Sequence, residues 1–353
     1  MRSIRYNETK RKNIMKVFFK ALTFTLVIII AVSCMVLTVS ADVGLDGINY
    51  AIDSENFTAT ATKFYGSQKD VVIPEKVNGF TVTGIAESAF EDSSISSAVI
   101  PNTITSLGKY AFDNCTDLTE VVVPASVTEI GDYAFRGCTA LKSVELNANV
   151  NEIPFSSFQN CTALEKITVS DSITSIAAYA FLNCTALKSF RFDNIEAFST
   201  GSFESAGLTE VIISDKVNNL PMQVFKNCSN LTRVQIGRNV NSIAFNAFRG
   251  VNDYSVEVWY GTYGYQYAKD KNLIYTLLDG VKLGDVDGDG DITITDATTI
   301  QRYLAELETL DAIHLYAADA NEDKEVDIAD ATAIQMSVAK IPTGHPIGEV
   351  ITK

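Results

Sequence analysis

YAFDNCTDLTEVVVPASVTEI, residues Tyr110–Ile130, is followed two residues later by YAFRGCTALKSVELNANVNEI, residues Tyr133–Ile153. The same order of a phenylalanine, a cysteine and an LxxVxV segment returns along the middle of the chain. A repeat with a period in the low twenties predicts a stacked solenoid, because one unit cannot bury its apolar face alone. The marker phenylalanine occurs in eight units, at steps of 22 or 23 residues: Phe90, Phe112, Phe135, Phe158, Phe181, Phe203, Phe225 and Phe248.

Each unit is predicted to form one coil of this solenoid. The LxxVxV segment alternates apolar and polar residues over the length of a strand, so Leu118, Val121 and Val123 should point inward. A polar corner follows, and then a second apolar pair, Val127 and Ile130. The YAF segment should form a short helix or turn on the far side of the coil.

The cysteines follow the repeat: Cys115, Cys138, Cys161, Cys184 and Cys228. Equivalent positions on adjacent coils lie roughly 5 Å apart, so the geometry permits a disulfide. The alternative is a column of buried thiols that fill space and donate weakly to carbonyl groups. We favour the thiols, since the spacing is that of the repeat and Ala206 occupies the slot between Cys184 and Cys228.

The AFxxCxxLxxVxIP order resembles the leucine-rich repeats of the BspA type over about residues 70–260. Residues 42–69 resemble the β-hairpin cap that opens such domains. Residues 261–283, which include YGYQYAKDKNLIY, resemble a closing cap and a linker. The resemblance implies an α/β leucine-rich-repeat solenoid in which the caps cover the two terminal coils.

The outward strand positions of the solenoid form a mixed surface with little aromatic content. A protein or cell-surface ligand is therefore favoured over a polysaccharide, and a solenoid that binds nothing and acts as a spacer stays open. No GxSxG, HExxH or Cys/His arrangement occurs in the repeats, so the protein is not expected to be an enzyme. These outward positions are Glu120, Val122, Ser143, Glu145, Lys166, Thr168, Ser189, Arg191, Glu210, Ile212, Arg233 and Gln235.

The N-terminus reads as a secretory signal peptide over residues 1–41. Seven Lys/Arg and one Glu accompany an apolar run that closes on Val39-Ser40-Ala41, which fits cleavage after Ala41. An uncleaved membrane anchor and lipid attachment at Cys34 are the alternatives. The expected location is extracellular, with the membrane involved only through this segment.

The remaining chain is strongly acidic, with 21 Lys/Arg against 42 Asp/Glu. A surface of this sign repels phosphate backbones, so nucleic acid is not an expected partner.

GDVDGDGDITITDATTIQRYL, residues Gly284–Leu304, places oxygen donors at alternating positions around a glycine. This is the spacing of a 12-residue EF-hand loop that wraps one Ca²⁺. A second loop begins 34 residues later. The predicted ligands of the two ions are Asp285, Asp287, Asp289, Asp291, Thr293 and Asp296, then Asp319, Asn321, Asp323, Glu325, Asp327 and Asp330.

The second loop departs from the pattern because Lys324 replaces the glycine at position 6. A left-handed lysine should cost on the order of 1 kcal/mol, so we expect this site to be the weaker one. Both loops also end on Asp in place of the usual Glu. The segment before Asp285 is short and broken by glycine, so only the exiting helix is expected.

The duplicated F-hand, DATTIQRYLAEL echoed by DATAIQMSVAKI, resembles a dockerin over residues 284–345, with residues 346–353 as a tail. The resemblance implies a small all-α calcium-binding module that binds a cohesin module of a scaffoldin. The family's recognition positions fall on Ile294, Thr295, Gln301, Arg302 and Glu306, and on Ile328, Ala329, Gln335, Met336 and Lys340.

These recognition residues differ between the two halves of the module, so one dominant cohesin orientation is expected. Ile300 and Leu304 should pack inward between the halves. The overall prediction is a secreted, non-catalytic cellulosome component that serves polysaccharide degradation. An adhesin for fibre or a host protein is the alternative, and a hydrolase of unrecognised type is the weaker one.

Overall fold

The computed structural model describes residues 47–278 and 280–351. The predicted signal peptide, residues 1–41, lies outside the described residues. Within them, no helix has the length and apolar character needed to cross a membrane. The solenoid and the C-terminal helices belong to one compact unit.

The solenoid opens on a β-hairpin cap. Strands Ile48–Asp53 and Thr58–Phe64 pair antiparallel, and the second of them pairs parallel with Phe80–Ile85. A short strand, Lys76–Val77, turns back onto Phe80–Ile85 through Asn78 and Gly79, both with left-handed φ. This turn chemistry suits a two-residue hairpin loop.

Each coil then contributes one strand to a first, parallel side and a two-residue strand to a second side. Partners on this first side are offset by one repeat, for example Val121 with Val144 and Val144 with Ile167. The first side contains Asp70–Val72, Ser97–Val99, Glu120–Val123, Ser143–Leu146 and Lys166–Val169, then Glu210–Ile212, Arg233–Gln235, Ser255–Val258 and Ile274–Leu277. The second side contains Ser106–Leu107, Glu129–Ile130, Glu152–Ile153, Ser175–Ile176, Ala197–Phe198, Asn219–Leu220 and Ser242–Ile243.

The parallel side is interrupted at one coil. Phe190 and Phe192 occupy the positions that Val144 and Leu146 hold in an earlier coil, and no strand forms there. Both phenylalanines turn to the core, where each ring lies within 5.4 Å of the Phe203 ring. The two larger side chains thus divide the side into a five-stranded and a four-stranded sheet.

The third side of each coil is a turn that carries the marker phenylalanine, as predicted. From Phe90 to Phe225 these side chains are at most 1% exposed, and consecutive rings of the column stack with centroids 5.0 to 5.8 Å apart. Backbone bonds repeat along the column, such as the N–H of Phe135 to the carbonyl of Ser157 at 2.9 Å. The aromatic column is the centre of the continuous core.

All five described cysteines are free and buried, as favoured above, and the disulfide alternative does not hold. Each thiol donates to the carbonyl of the marker phenylalanine one coil earlier. The Sγ of Cys161 lies 3.1 Å from the Phe135 carbonyl oxygen, and the Sγ of Cys184 lies 3.1 Å from that of Phe158. Burial raises the pKa of Cys161 to about 12, so this thiol is structural.

The C-terminal part contains four helices: α1 (Tyr263–Asp270), α2 (Ile294–Leu304), α3 (Ala312–Ala318) and α4 (Ile328–Val338). Helix α1 belongs to the closing cap and begins at the N-cap Thr262. Helices α2 and α4 each follow an acidic loop and pack on each other. Their shared core includes Val286, Ile300 and Ile334.

The two loops differ in how they are entered. As predicted, no helix precedes the first loop, because Val281–Lys282 is a strand. The second loop is different: α3 ends at Ala318, directly before Asp319, so the expectation of an exiting helix alone is wrong there. Asp311 caps α3 by accepting the backbone N–H groups of Ile313 and His314.

The C-terminal segment returns to the start of the helical unit. Strand Val350–Ile351 pairs antiparallel with Val281–Lys282. Leu283 donates its N–H to the Glu349 carbonyl, and Gly348 donates to the Leu283 carbonyl. Ile347 packs against the core shared by α2 and α4. This pairing forms a clasp between the two ends of the unit.

Candidate functional site

The first acidic loop gathers three carboxylates. One carboxylate oxygen from each of Asp285, Asp287 and Asp289 lies within 4.8 Å of the others. Asp285 is fully buried, and its two oxygens accept the N–H groups of Gly288 at 3.1 Å and Gly290 at 3.0 Å. The loop therefore wraps around the first carboxylate of the sequence pattern.

Asp296 closes this loop and starts helix α2. One of its oxygens accepts the N–H groups of Val286 at 2.6 Å and Asp287 at 3.1 Å. The other accepts the N–H of Thr293 at 2.8 Å, while the Thr293 hydroxyl caps the helix in return. A capping box of this kind fixes the helix start and holds a carboxylate beside the loop.

The electrostatics of the first loop are those of a crowded acidic site. Burial, followed by the charge of Asp296, raises the pKa of Asp285 to about 7. The same two causes raise the pKa of Asp287. A bound cation reduces the repulsion between buried carboxylates. The hard oxygen donors at these positions suit Ca²⁺.

The second loop repeats the carboxylate geometry at the start of its helix. Asp330 accepts the N–H groups of Asn321 at 3.0 Å and Asp327 at 2.9 Å, as Asp296 does in the first loop. One oxygen of Asp319 is buried and has no hydrogen-bond partner, which fits a position reserved for a cation. Lys324 has φ of 75°, so it adopts the left-handed backbone that is costly for a residue other than glycine.

The predicted ligand residues of the two loops differ in how deeply they are buried. Asp285 and Asp296 are buried, as is Asp330, whereas the middle residues of both loops are exposed. The residues present fit calcium in both loops. The half-buried or exposed ligand positions are Asp287, Asp289, Asp291, Thr293, Asp319, Asn321, Asp323, Glu325 and Asp327.

The predicted cohesin-contact positions differ in accessibility between the halves. All five in the first half are exposed: Ile294, Thr295, Gln301, Arg302 and Glu306. In the second half Ile328, Ala329 and Lys340 are exposed, but Gln335 and Met336 are half-buried. The first half thus presents the more complete surface.

Of the two residues predicted to pack inward between the halves of the dockerin, one does not. Ile300 is fully buried, but Leu304, the last residue of α2, is 41% exposed. Val338, its equivalent in the second half, is also 41% exposed. Leu307 and Ile341 form a further exposed pair. The repetition of apolar residues at matching positions of the two halves is the sequence feature that could have revealed them.

The parallel side of the solenoid exposes a column of valines at its N-terminal end. Val72, Val99 and Val122 are 63%, 54% and 48% exposed on three adjacent strands. Val72 is the register partner of Val99. Further along, Arg233 forms ion pairs with Glu210 at 2.9 Å and Glu257 at 2.7 Å, so the surface becomes charged there.

Comparison with known proteins places these features in families. A model described as BspA type leucine rich repeat region matches six copies over residues 83–206 and 152–260, together half of the chain. The chain belongs to the BspA-type leucine-rich repeat family. A second model, the Dockerin type I domain, matches residues 283–338, which contain both acidic loops.

Solved structures of bacterial leucine-rich repeat proteins are also similar to the BspA-type chain. One from Bacteroides ovatus ATCC 8483 is 20% identical, with a TM-score of 0.41, and the alignment covers 68% of this chain and 77% of that one. A leucine rich cell surface protein from Faecalibacterium prausnitzii A2-165 is 21% identical, with a TM-score of 0.34 and coverage of 64% and 89%. No curated protein matches the chain.

The two families indicate the general kinds of binding that these modules carry out. A type I dockerin binds calcium and implies a cohesin partner and association of the cellulosome type. BspA-type repeats imply protein binding. Both kinds of module are non-catalytic and typical of extracellular or cell-surface proteins.

Proposed function

We propose that this protein is a secreted, non-catalytic component of a cellulosome-like complex, which its dockerin attaches to a scaffoldin while its solenoid binds another protein. Two Ca²⁺ ions, one in each loop, hold the dockerin in its binding shape. The observation that carries the proposal is the exposed first half of the docking surface, from Ile294 to Glu306, directly after a loop that gathers three carboxylates. The wider setting would be the degradation of polysaccharide.

Calcium binding and docking are linked through the helix starts. Asp296 and Asp330 are both predicted ligands and capping residues of α2 and α4. The exposed contact residues Ile294 and Ile328 are the first residues of these helices. An ion in each loop would fix the carboxylates and hence the helix starts, so its removal should weaken cohesin binding.

We assign the valine column, Val72, Val99 and Val122, as the centre of the solenoid's protein-binding surface. An exposed apolar column on a rigid sheet is the kind of patch that marks interaction sites. This column also favours the second candidate function, an adhesin. In that case the solenoid binds a host or cell-surface protein, and the dockerin serves to display the solenoid.

Calorimetry on the chain without residues 1–41 tests the proposal. The protein should bind two Ca²⁺ ions and one cohesin from a panel, and EDTA should abolish cohesin binding. Asp285→Asn should bind one ion fewer and weaken docking, while the exposed, non-ligand control Glu322→Gln should leave both unchanged. Calcium binding without any cohesin binding would overturn the docking proposal, and the C-terminal module would then be a calcium-stabilised tail on an adhesin.

A further inference from the structure

The closing cap of the solenoid covers the first acidic loop. The hydroxyl of Tyr260, just before α1, donates to the backbone carbonyl of Asp285. Tyr265, which is fully buried in α1, places its hydroxyl 3.0 Å from Nε2 of His314 in α3. Tyr260 thus contacts the first loop, and Tyr265 contacts α3, the helix that leads to the second loop.

The backbones of the cap and the first loop also approach closely. A Cβ built on Gly261 in the cap would lie 3.2 Å from the Gly290 Cα. A Cβ built on Gly288 would lie 3.1 Å from Cε1 of Tyr265. Both distances are shorter than ordinary van der Waals contact. The close approach of the cap and the first loop therefore depends on glycine at these two positions.

The second loop shows that left-handed backbone alone does not require these glycines. Glu322 and Lys324 stand where the first loop has Gly288 and Gly290, with φ of 61° and 75°. Both residues are exposed. At the position of Gly288, contact with the Tyr265 ring accounts for the difference between the loops.

Two lysines complete the contact. Lys269 of α1 places Nζ 2.9 Å from Nε2 of His314, and its charge lies near enough to Asp287 to oppose the rise in the pKa of that carboxyl. Lys282 donates to the carbonyl of Gly290 at 2.6 Å. Tyr260 thus holds the backbone of the first loop from the solenoid side, and Lys282 holds it from the strand that directly precedes the loop.

We infer that the closing cap and the first loop form one cooperative unit, so that Ca²⁺ in the first loop stabilises the last coils of the solenoid more than Ca²⁺ in the second loop does. This inference rests on the calcium binding proposed above. A solenoid frays from its ends unless a cap holds the terminal coil. A ligand stabilises any segment whose opening destroys its site by RT ln(1 + [L]/Kd), so the protection grows with the free ligand concentration.

Hydrogen exchange on the chain without residues 1–41 tests this linkage. In Ca²⁺ at ten times its dissociation constant, amides of residues 255–277 should exchange up to about tenfold more slowly than in EDTA. Amides of residues 120–146, several coils away, should not change. Asp285→Asn should remove most of the cap's response, and Asp319→Asn should leave most of it.

A second pair of variants separates coupling from folding. Tyr260→Phe and Tyr265→Phe should still bind two ions but show a reduced response of the cap to calcium. Tyr254→Phe, a buried tyrosine whose hydroxyl faces Tyr267 within the cap, is the matched control and should respond as the native chain does.

The outcomes distinguish this inference from the proposed function. If calorimetry shows two bound ions but the cap exchanges equally in Ca²⁺ and EDTA, the linkage is overturned and the docking function stands. An equal effect of Asp285→Asn and Asp319→Asn would also overturn it. If no ion binds, both proposals fail together.

Discussion

The hydroxyl of Tyr265 lies 3.0 Å from Nε2 of His314, and this buried contact joins the solenoid cap to the dockerin. Burial, with the nearby charge of Lys269, lowers the pKa of His314, so the imidazole is neutral at pH 7. Its Nδ1 lies 2.5 Å from Asp311, which places the proton there and leaves Nε2 as an acceptor. The dockerin is therefore attached to the solenoid by specific contacts.

The acidic loop should make the calcium-free protein less stable as pH rises. The pKa of Asp285 is about 7 in the fold, against 3.8 ordinarily. Between about pH 4 and 7 the native state then holds more protons than the unfolded state, so the free energy of unfolding falls with rising pH. Urea titrations in EDTA at about pH 5 and pH 7 should show this fall, and Asp285→Asn should flatten it.

The affinity for Ca²⁺ should depend on pH in the direction opposite to the stability of the calcium-free protein. Protons compete with Ca²⁺ for Asp285, so calcium affinity should rise as pH increases toward and past about 7. Calorimetric titrations at several pH values measure this directly. An affinity that does not change over this range would contradict the raised pKa.

The exposed half of the docking surface should dominate cohesin binding. The double variant Ile294→Ala/Arg302→Ala should weaken binding by more than about tenfold, because truncating central interface residues typically costs more than 1 kcal/mol. The matched variant Ile328→Ala/Met336→Ala should cost less, since Met336 is half-buried in the dockerin itself. Equal losses in surface plasmon resonance would indicate that both orientations are used.

The aromatic column should be the main source of solenoid stability. Phe158→Ala should lower the free energy of unfolding by about 3–5 kcal/mol, because it leaves a cavity between the stacked rings of Phe135 and Phe181. Phe245→Ala is the control, since that side chain is 85% exposed. Its effect on urea denaturation should stay within about 0.5 kcal/mol.

The buried thiols should resist modification. Burial raises the pKa of Cys161 and of Cys228 to about 12, so neither forms the reactive thiolate near neutral pH. A thiol-reactive disulfide reagent should label none of the five described cysteines in the native protein and all of them in guanidinium chloride. Rapid labelling of the native protein would show that the column opens.

The clasp should stabilise the dockerin. Ile347→Ala should cost about 1–2 kcal/mol because Ile347 packs on the core between α2 and α4. Val350, which is 56% exposed in the neighbouring strand, offers the matched control Val350→Ala. Thermal unfolding followed by circular dichroism should separate the two, and equal shifts would argue against a packing role for Ile347.

Features that repeat were predictable from the sequence. The phenylalanines and cysteines recur at a fixed period, so the buried core, the strands and the free thiols followed from one coil. Departures from the repeat were harder to predict. Phe190 and Phe192 keep the apolar pattern, yet their size interrupts the sheet. Leu304 keeps the helical spacing of an inward-facing residue, yet it is 41% exposed at the last position of α2.

The sequence alone determined the solenoid and the positions of both acidic loops, because each depends on contacts between residues that are close in the chain or one repeat apart. Only the tertiary structure decided which loop is covered and which half of the docking surface is fully exposed. The segments around Tyr260 and Asp285 have no repeat relationship. Their contact depends on how the chain turns between the cap and the first loop, and residue spacing carries no information about that direction.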